Sequence, residues 1–225
     1  MTERPDTQRT DLFERLAVVG KAFANAKRLE LVDLLSQGER TVESLAHEAG
    51  LGVTTASAHL QVLKLSSLVK TRKEGTRVWY SLAGEDVATL FSSLRTVARL
   101  RSADVERALN AYLGVGGMGD VDEVSREELL ERLGRGDVLL LDVRPEEEFA
   151  AGHLPGARSV PFADLAEVMG SLASDADIVA YCRGAYCVLA HDAVRLLRAD
   201  GRTARRLQDG LPEWRLAGLP VEVGA

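Results

Sequence analysis

The sequence predicts two domains, the first mainly helical with one β-hairpin, the second α/β with a mainly parallel sheet. Three observations carry this. Amphipathic helical runs and a short hairpin fill residues 11–113; strands and helices alternate from residue 121 onward; and the glycine run Gly114-Val-Gly-Gly-Met-Gly119 lies between them. The charge divides in the same place. Residues 1–114 carry 16 Lys+Arg against 14 Asp+Glu, whereas residues 115–225 carry 12 against 20, and all five lysines fall in the first part. A polyanion would therefore prefer the first domain. The domains are expected as a disordered stretch 1–10, a first domain 11–113, a linker 114–120 and a second domain 121–225.

From Asp11, the spacing of Leu12, Phe13, Leu16, Val19 and Phe23 predicts a helix, and Leu29, Leu31, Val32, Leu34 and Leu35 predict a second one ended at Gly38. Thr41 opens a short third helix containing Leu45 and Ala46. Gly50-Leu51-Gly52 turns the chain into a fourth, from about Thr54 to Ser66, with Ala56, Leu60 and Leu63 facing the core. Its other face shows Thr54, Thr55, Ser57, His59 and Gln61, with Lys64 near its end. Two short helices about a glycine turn, the second with a small polar outer face, make a helix-turn-helix. The alternation Val78, Tyr80, Leu82 after Glu74-Gly75 predicts a hairpin whose tip gathers Lys70, Arg72, Lys73 and Arg77. A basic wing beside such a helix can hold phosphates while the helix reads base edges. A long helix over Glu85–Leu113 follows, its apolar side running from Val87 through Leu94 and Val105 to Tyr112.

The run Thr54-Thr-Ala-Ser-Ala-His-Leu-Gln-Val-Leu63, then Ser67-Leu68-Val69 and Glu74-Gly-Thr-Arg-Val-Trp-Tyr80, resembles the ArsR/SmtB family of winged-helix repressors over roughly residues 10–113. The resemblance implies a double-stranded DNA operator, repression, and a homodimer built on the first and last helices. It departs from the family at Ala58, where a basic residue is common before the helix histidine. Family members often sense metals through cysteines of the third helix or His and carboxylate pairs of the last. Residues 41–49 hold only His47 and residues 85–113 no histidine, so no metal site is expected.

In the second domain, strands are expected near Val121–Val124, Asp137–Val143, Ser159–Pro161, Asp177–Tyr181 and Thr203–Leu207. Helices are expected at Arg126–Leu133, after Pro145, at Asp164–Leu172, at Tyr186–Arg198 and around Trp214. The only cysteines, Cys182 and Cys187, stand where a buried strand turns into a helix. A thiol there lies under the free N–H groups of the first turn, which favour an anion and lower its pKa. Arg183 adds a positive charge, and Gly184, Ala185 and Tyr186 complete the loop. Cys182 is thus expected to be a reactive thiolate and Arg183 its electrostatic partner; a buried structural cysteine is the alternative.

This half resembles a rhodanese-like domain, through Leu141-Asp-Val-Arg-Pro145, Glu148-Phe149, Gly152-His-Leu-Pro-Gly-Ala157, Tyr181-Cys-Arg183 and Gly210-Leu-Pro-Glu-Trp214. The resemblance implies that Cys182 takes a sulfane sulfur from a small donor such as thiosulfate, polysulfide or a persulfide, and passes it on. Asp142, Arg144 and His153 fall in motifs expected to be structural. Related phosphatases carry an Arg six residues after the cysteine; Val188 stands there, which disfavours phosphate chemistry. Cys187 is either a resolving thiol that attacks a modified Cys182 or a small residue filling the helix start.

Three functions remain open on this reading. The leading one is a DNA-binding regulator that senses or carries sulfur. The others are a sulfurtransferase whose winged helix serves dimerisation, and a regulator with an inert docking module. No cofactor is expected. The polar N-terminus and the lack of a ~20-residue apolar run point to a cytoplasmic protein with no membrane partner.

Overall fold

The computed structural model describes residues 6–114 and 121–224. The linker expected at 114–120 therefore lies, apart from Gly114, outside the described residues, as do residues 1–5. Two compact units separate after Phe91.

In the first unit, α1 (Asp6–Phe23) and α2 (Ala26–Gln37) are followed by β1 (Arg40–Thr41), α3 (Val42–Glu48) and α4 (Val53–Leu65). The hairpin β2 (Val69–Glu74) and β3 (Arg77–Leu82) comes next, then the start of α5 (Glu85–Arg101). Helix α1 begins at Asp6 rather than Asp11, so residues 6–10 are helical and not disordered: adding residues to an existing helix costs little once its nucleus is made. Asn25 caps α2 by accepting the Arg28 N–H at 3.1 Å, and Thr41 caps α3 by accepting that of Ser44 at 3.3 Å. Gly50, at φ 61°, makes the turn between α3 and α4 that only glycine adopts without strain. The core joins Leu31, Leu35, Leu45, Leu60, Leu63, Tyr80, Val87 and Phe91. The hairpin closes with Glu74 opposite Arg77 and Gly75 at φ 60°, the glycine-first pattern of a two-residue turn. Strand β1 pairs antiparallel with β3, giving a three-stranded sheet β1-β3-β2.

The helix expected over 85–113 is two: α5, and α6 (Ala103–Tyr112). Ser102 separates them at φ −125°, ψ 106°; its N–H still bonds to Ala98 O while its own carbonyl starts α6. Serine favours this junction role over a helix interior.

The second unit contains a five-stranded sheet, in order β4-β8-β7-β5-β6, with every pair parallel. Its elements are β4 (Glu123–Val124), α7 (Arg126–Arg135), β5 (Leu139–Asp142), α8 (Glu146–Ala151), β6 (Arg158–Ser159), α9 (Leu165–Val168), β7 (Ile178–Tyr181), α10 (Val188–Ala199), β8 (Ala204–Leu207) and α11 (Leu211–Leu216). The helix expected at 164–172 is instead the short α9 flanked by two 3-10 turns, Phe162–Asp164 and Met169–Ser171, the latter centred on Gly170.

Successive strand residues face opposite sides of the sheet. Leu141, Ile178 and Ala180 pack with Leu165 of α9 and with Ala190, Val194 and Leu197 of α10. Leu140, Val179 and Tyr181 pack on the other side with Leu129 of α7 and with Leu211 and Trp214 of α11. Strand β7, buried at all four positions, lies in the middle, and its carboxyl end delivers Cys182 to the rim where parallel sheets place their sites.

Candidate functional site

Helix α10 starts at Val188, two residues later than expected. Tyr186 therefore belongs to the loop, and Cys187, at φ −103°, ψ 124°, is the N-cap of α10. Both cysteines are reduced and buried. The Cys182 sulfur lies 3.9 Å from the Gly184 carbonyl oxygen and 3.6 Å from that of Cys187. Backbone N–H groups of Gly184 and Ala190 also reach it, so the first turn of α10 does face the sulfur as its position implies.

Those donors do not decide its ionisation. Burial pushes the Cys182 thiol well up, and its hydrogen bond with Cys187 and that neighbour's charge push it further. Cys187 moves the other way. The hydrogen bond from Cys182 holds it down, helped by the backbone N–H groups of Arg183 and Leu189 and by the Arg183 charge. The helix terminus expected to favour a thiolate on Cys182 is thus opposed by burial and by the contact with Cys187, and of the two coupled thiols Cys187 is the one held down. Replacing Cys187 by Ala removes both contributions of the neighbour. The pH midpoint of Cys182 alkylation should then fall below its wild-type value. A midpoint that stays or rises would show that Cys187 does not hold the proton on Cys182.

Arg183 is not aimed at the sulfur as a free cation. Its Nε donates to Glu148 Oε1 at 2.8 Å and to Oε2 at 3.1 Å, and the Glu148 side chain is 2% exposed. The pair fastens the loop to α8 while leaving the Arg183 charge close enough to act on Cys187. The charge expected beside Cys182 is thus engaged by Glu148, and it acts on Cys187. Beneath the loop, Arg144 and Asp142 form a pair with both side chains wholly buried, the Arg144 Nε donating to Asp142 Oδ1 at 2.9 Å. His153 stacks on Phe149 with ring centroids 3.6 Å apart and bonds through Nδ1 to the Phe149 carbonyl oxygen at 2.9 Å, a structural placement.

Gly210, which begins the Gly210–Trp214 motif, touches the loop. A Cβ there would meet Gly184 N at 2.3 Å and Gly184 Cα at 2.6 Å. Neither atom can swing away, since both are backbone. Gly210→Ala should push the cysteine loop out of place, cost about 1–3 kcal/mol as overpacking does, and slow Cys182 modification. Wild-type melting and labelling rates in this variant would rule out the contact.

On the first unit, Thr54, Thr55, Gln61 and Lys64 are exposed on α4, with Ser57 and His59 at its half-buried flanks. Lys64 Nζ donates to Thr71 Oγ1 at 3.0 Å, tying the helix to β2. Lys70, Lys73 and Arg77 are exposed on the hairpin, and no ion pair engages them among the described residues. Arg72 differs. Its guanidinium bonds to Glu39 and to Glu74 and lies 5.6 Å from the Trp79 ring centroid, so its charge is already matched. Expected at the DNA surface, Arg72 also ties the hairpin to the turn after α2. Among the described residues no group of three or more His, Cys, Asp or Glu is placed to hold a metal ion. No helix is long and apolar enough to cross a membrane.

Residues 25–71 match the bacterial regulatory protein, arsR family, and residues 125–217 match the rhodanese-like domain. The chain is 54% identical over 214 residues to the HTH-type transcriptional regulator Rv0324 of Mycobacterium tuberculosis, covering 95% of this chain and 93% of that protein. A sulfurtransferase of Allochromatium vinosum is 33% identical over 102 residues, which are 45% of this chain and 94% of that protein. Among solved structures, the homodimeric winged helix-turn-helix DNA-binding domain of Mb0332 from Mycobacterium bovis, a possible ArsR-family regulator, shares 48% identity. It covers 46% of this chain and 95% of that one, with a TM-score of 0.43. With a relative matched along almost its whole length, the chain belongs to the arsR family of bacterial transcriptional regulators and carries a rhodanese-like domain after its winged helix.

Proposed function

We propose that this regulator binds a double-stranded DNA operator as a homodimer and represses, and that its rhodanese-like domain carries sulfane sulfur as a persulfide on Cys182. In this reading residues 11–113 bind DNA and dimerise, residues 114–120 link, and residues 121–225 handle sulfur. The observation that carries the sulfur part is the arrangement of two thiols in one loop, with Cys182 under the amides of Gly184 and Ala190 and Cys187 in hydrogen-bond contact. Dimerisation draws its support from uncovered apolar faces: Leu12, Phe13 and Leu16 of α1 and Val97 and Leu100 of α5 are each more than half exposed.

The chemistry balances with these groups alone. When Cys187, the thiol held down of the two, is ionised, it takes the Cys182 proton as the Cys182 sulfur attacks the outer sulfur of thiosulfate. The S–S bond of the donor breaks and sulfite leaves with its electron pair, so the total charge is unchanged. The N–H groups of Gly184 and Ala190 face the terminal sulfur anion that results. If Cys187 then passes its proton to the terminal sulfur and attacks Cys182 Sγ, the persulfide S–S bond breaks, hydrosulfide leaves with its electron pair and a disulfide forms.

Mass spectrometry of the intact protein after thiosulfate or polysulfide exposure should show a gain of about 32 Da, one sulfur atom, absent in Cys182→Ser. The same treatment should change the mobility of operator DNA bound by wild type but not by Cys182→Ser. Equal DNA affinity with and without the adduct would end the sensing claim. The Allochromatium vinosum relative favours a second reading, sulfurtransferase catalysis. Steady turnover from thiosulfate to an added thiol, lost in Cys182→Ser, is its signature.

A further inference from the structure

Helix α5 is continuous across the boundary between the two units. Val87 and Phe91 belong to the core of the first. Arg95, one turn later, belongs to the second, where it meets Tyr186 and Glu213. Its guanidinium lies 4.2 Å from the centroid of the Tyr186 ring, its Nη1 is 3.6 Å from Glu213 Oε1, and its carbonyl oxygen accepts the Tyr186 hydroxyl at 3.2 Å. The Arg95 side chain is only 13% exposed, unusual for an arginine on a helix with so much surface.

Both partners of Arg95 reach the cysteine loop directly. Tyr186 is part of it, immediately before Cys187. Glu213 accepts the Gly210 N–H through Oε2 at 3.0 Å, and the same carboxylate fills the space beside Gly184, where a Cβ would meet Oε2 at 2.9 Å. Gly184 stands at φ 121°, a conformation closed to ordinary side chains, so the loop cannot relax towards Glu213 by substitution. One arginine thus clamps the two sides of the loop, Tyr186 by stacking and Glu213 by charge.

We infer that Arg95 is a positioning residue for the cysteine site: the loop is complete only when this helix of the regulator supplies its guanidinium. A sulfur atom added to Cys182 enlarges a side chain that is 2% exposed. The loop must then shift, and Tyr186 and Glu213 pass the shift to Arg95 and hence to α5. Within the rhodanese-like motifs the Arg183–Glu148 pair fastens the loop to α8, whereas the Arg95 guanidinium comes from outside them. The inference rests on the sulfur reading only for what moves the loop; the clamp itself does not depend on it.

The test uses the full chain with Arg95→Ala, Arg95→Lys and Glu213→Gln. Iodoacetamide labelling of Cys182 measures loop opening without any sulfur donor. A stacked cation and a largely buried ion pair are together worth about tenfold in an opening equilibrium, so Arg95→Ala should label about tenfold faster than wild type. Arg95→Lys keeps the charge without the planar stack and should fall between, with Glu213→Gln. The ratio of DNA affinities with and without the Cys182 adduct, taken within each variant, should approach one in Arg95→Ala. Unchanged labelling in Arg95→Ala overturns the clamp, and so does an unchanged affinity ratio. Should wild type show no adduct or no ratio, the sulfur reading fails, and the labelling comparison still decides whether Arg95 positions the loop.

Discussion

Arg144→Ala should destabilise the second unit by about 3–5 kcal/mol, the cost of stranding a buried charge. Asp142 ends β5 with a side chain that no solvent reaches, and Arg144 is its counter-charge. The guanidinium also donates to the Gly152 carbonyl oxygen at 2.8 Å and lies 5.6 Å from the Tyr181 ring centroid. The Tyr181 hydroxyl in turn accepts the Leu154 N–H at 3.0 Å. The pair therefore holds together the end of β5, the Gly152–Leu154 turn and the strand that delivers Cys182. Without the guanidinium, Asp142 keeps the Arg144 backbone N–H at 3.0 Å but has lost its counter-charge. Urea unfolding followed at Trp214, which is 1% exposed in the same unit, reads the change. Replacing both partners with apolar residues should cost much less than removing one, since no orphaned charge is left. A loss under 1 kcal/mol for Arg144→Ala would mean that water reaches Asp142 and the pair is not the internal brace described.

The outline of both units was legible because each has a strong local signal. The helix-turn-helix shows in the spacing of Ala56, Leu60 and Leu63, all buried on α4, and in the glycine that opens the hairpin. The parallel sheet shows in β5 and β7, whose apolar runs are what strands covered on both faces require. The cysteine loop followed from the strand-to-helix transition.

What escaped is what no local pattern encodes. Strand β1 is two residues long and exists only because Arg40 and Thr41 meet Tyr80 and Trp79. The partners that reassign Arg183 and Arg72 lie 35 and 33 residues away, at Glu148 and Glu39. Seen alone, each arginine reads as a free cation beside a site; folded, each is a tie between segments. Arg95 is hidden more deeply, since its helix carries an apolar stripe that directs attention to another face. The environment of Cys182 was only half legible, for a different reason. The helix terminus was visible in the sequence, but the depth of burial and the contact with Cys187 were not, and these outweigh it.

Removing the three wing cations together, Lys70→Ala, Lys73→Ala and Arg77→Ala, should have the largest effect on DNA. Each cation that neutralises a phosphate releases counterions and adds about 0.9 to the slope of log affinity against log salt. Three per protomer in a dimer would lower that slope by about 5, and affinity at low salt should fall by several orders of magnitude. Arg72→Ala should do far less, because Glu39 and Glu74 already match its charge. This asymmetry separates phosphate contact from a general field effect: a field counts net charge, so removing Arg72 would weaken binding as much as removing Lys73. Gln61→Ala on the exposed face of α4 supplies the contrast, since a base-edge contact alters preference between operator sequences and leaves the salt slope alone. Titrations of a labelled operator and a scrambled duplex over a range of salt concentrations distinguish these outcomes. A salt slope unchanged in the triple variant would move the DNA-binding surface off the hairpin altogether.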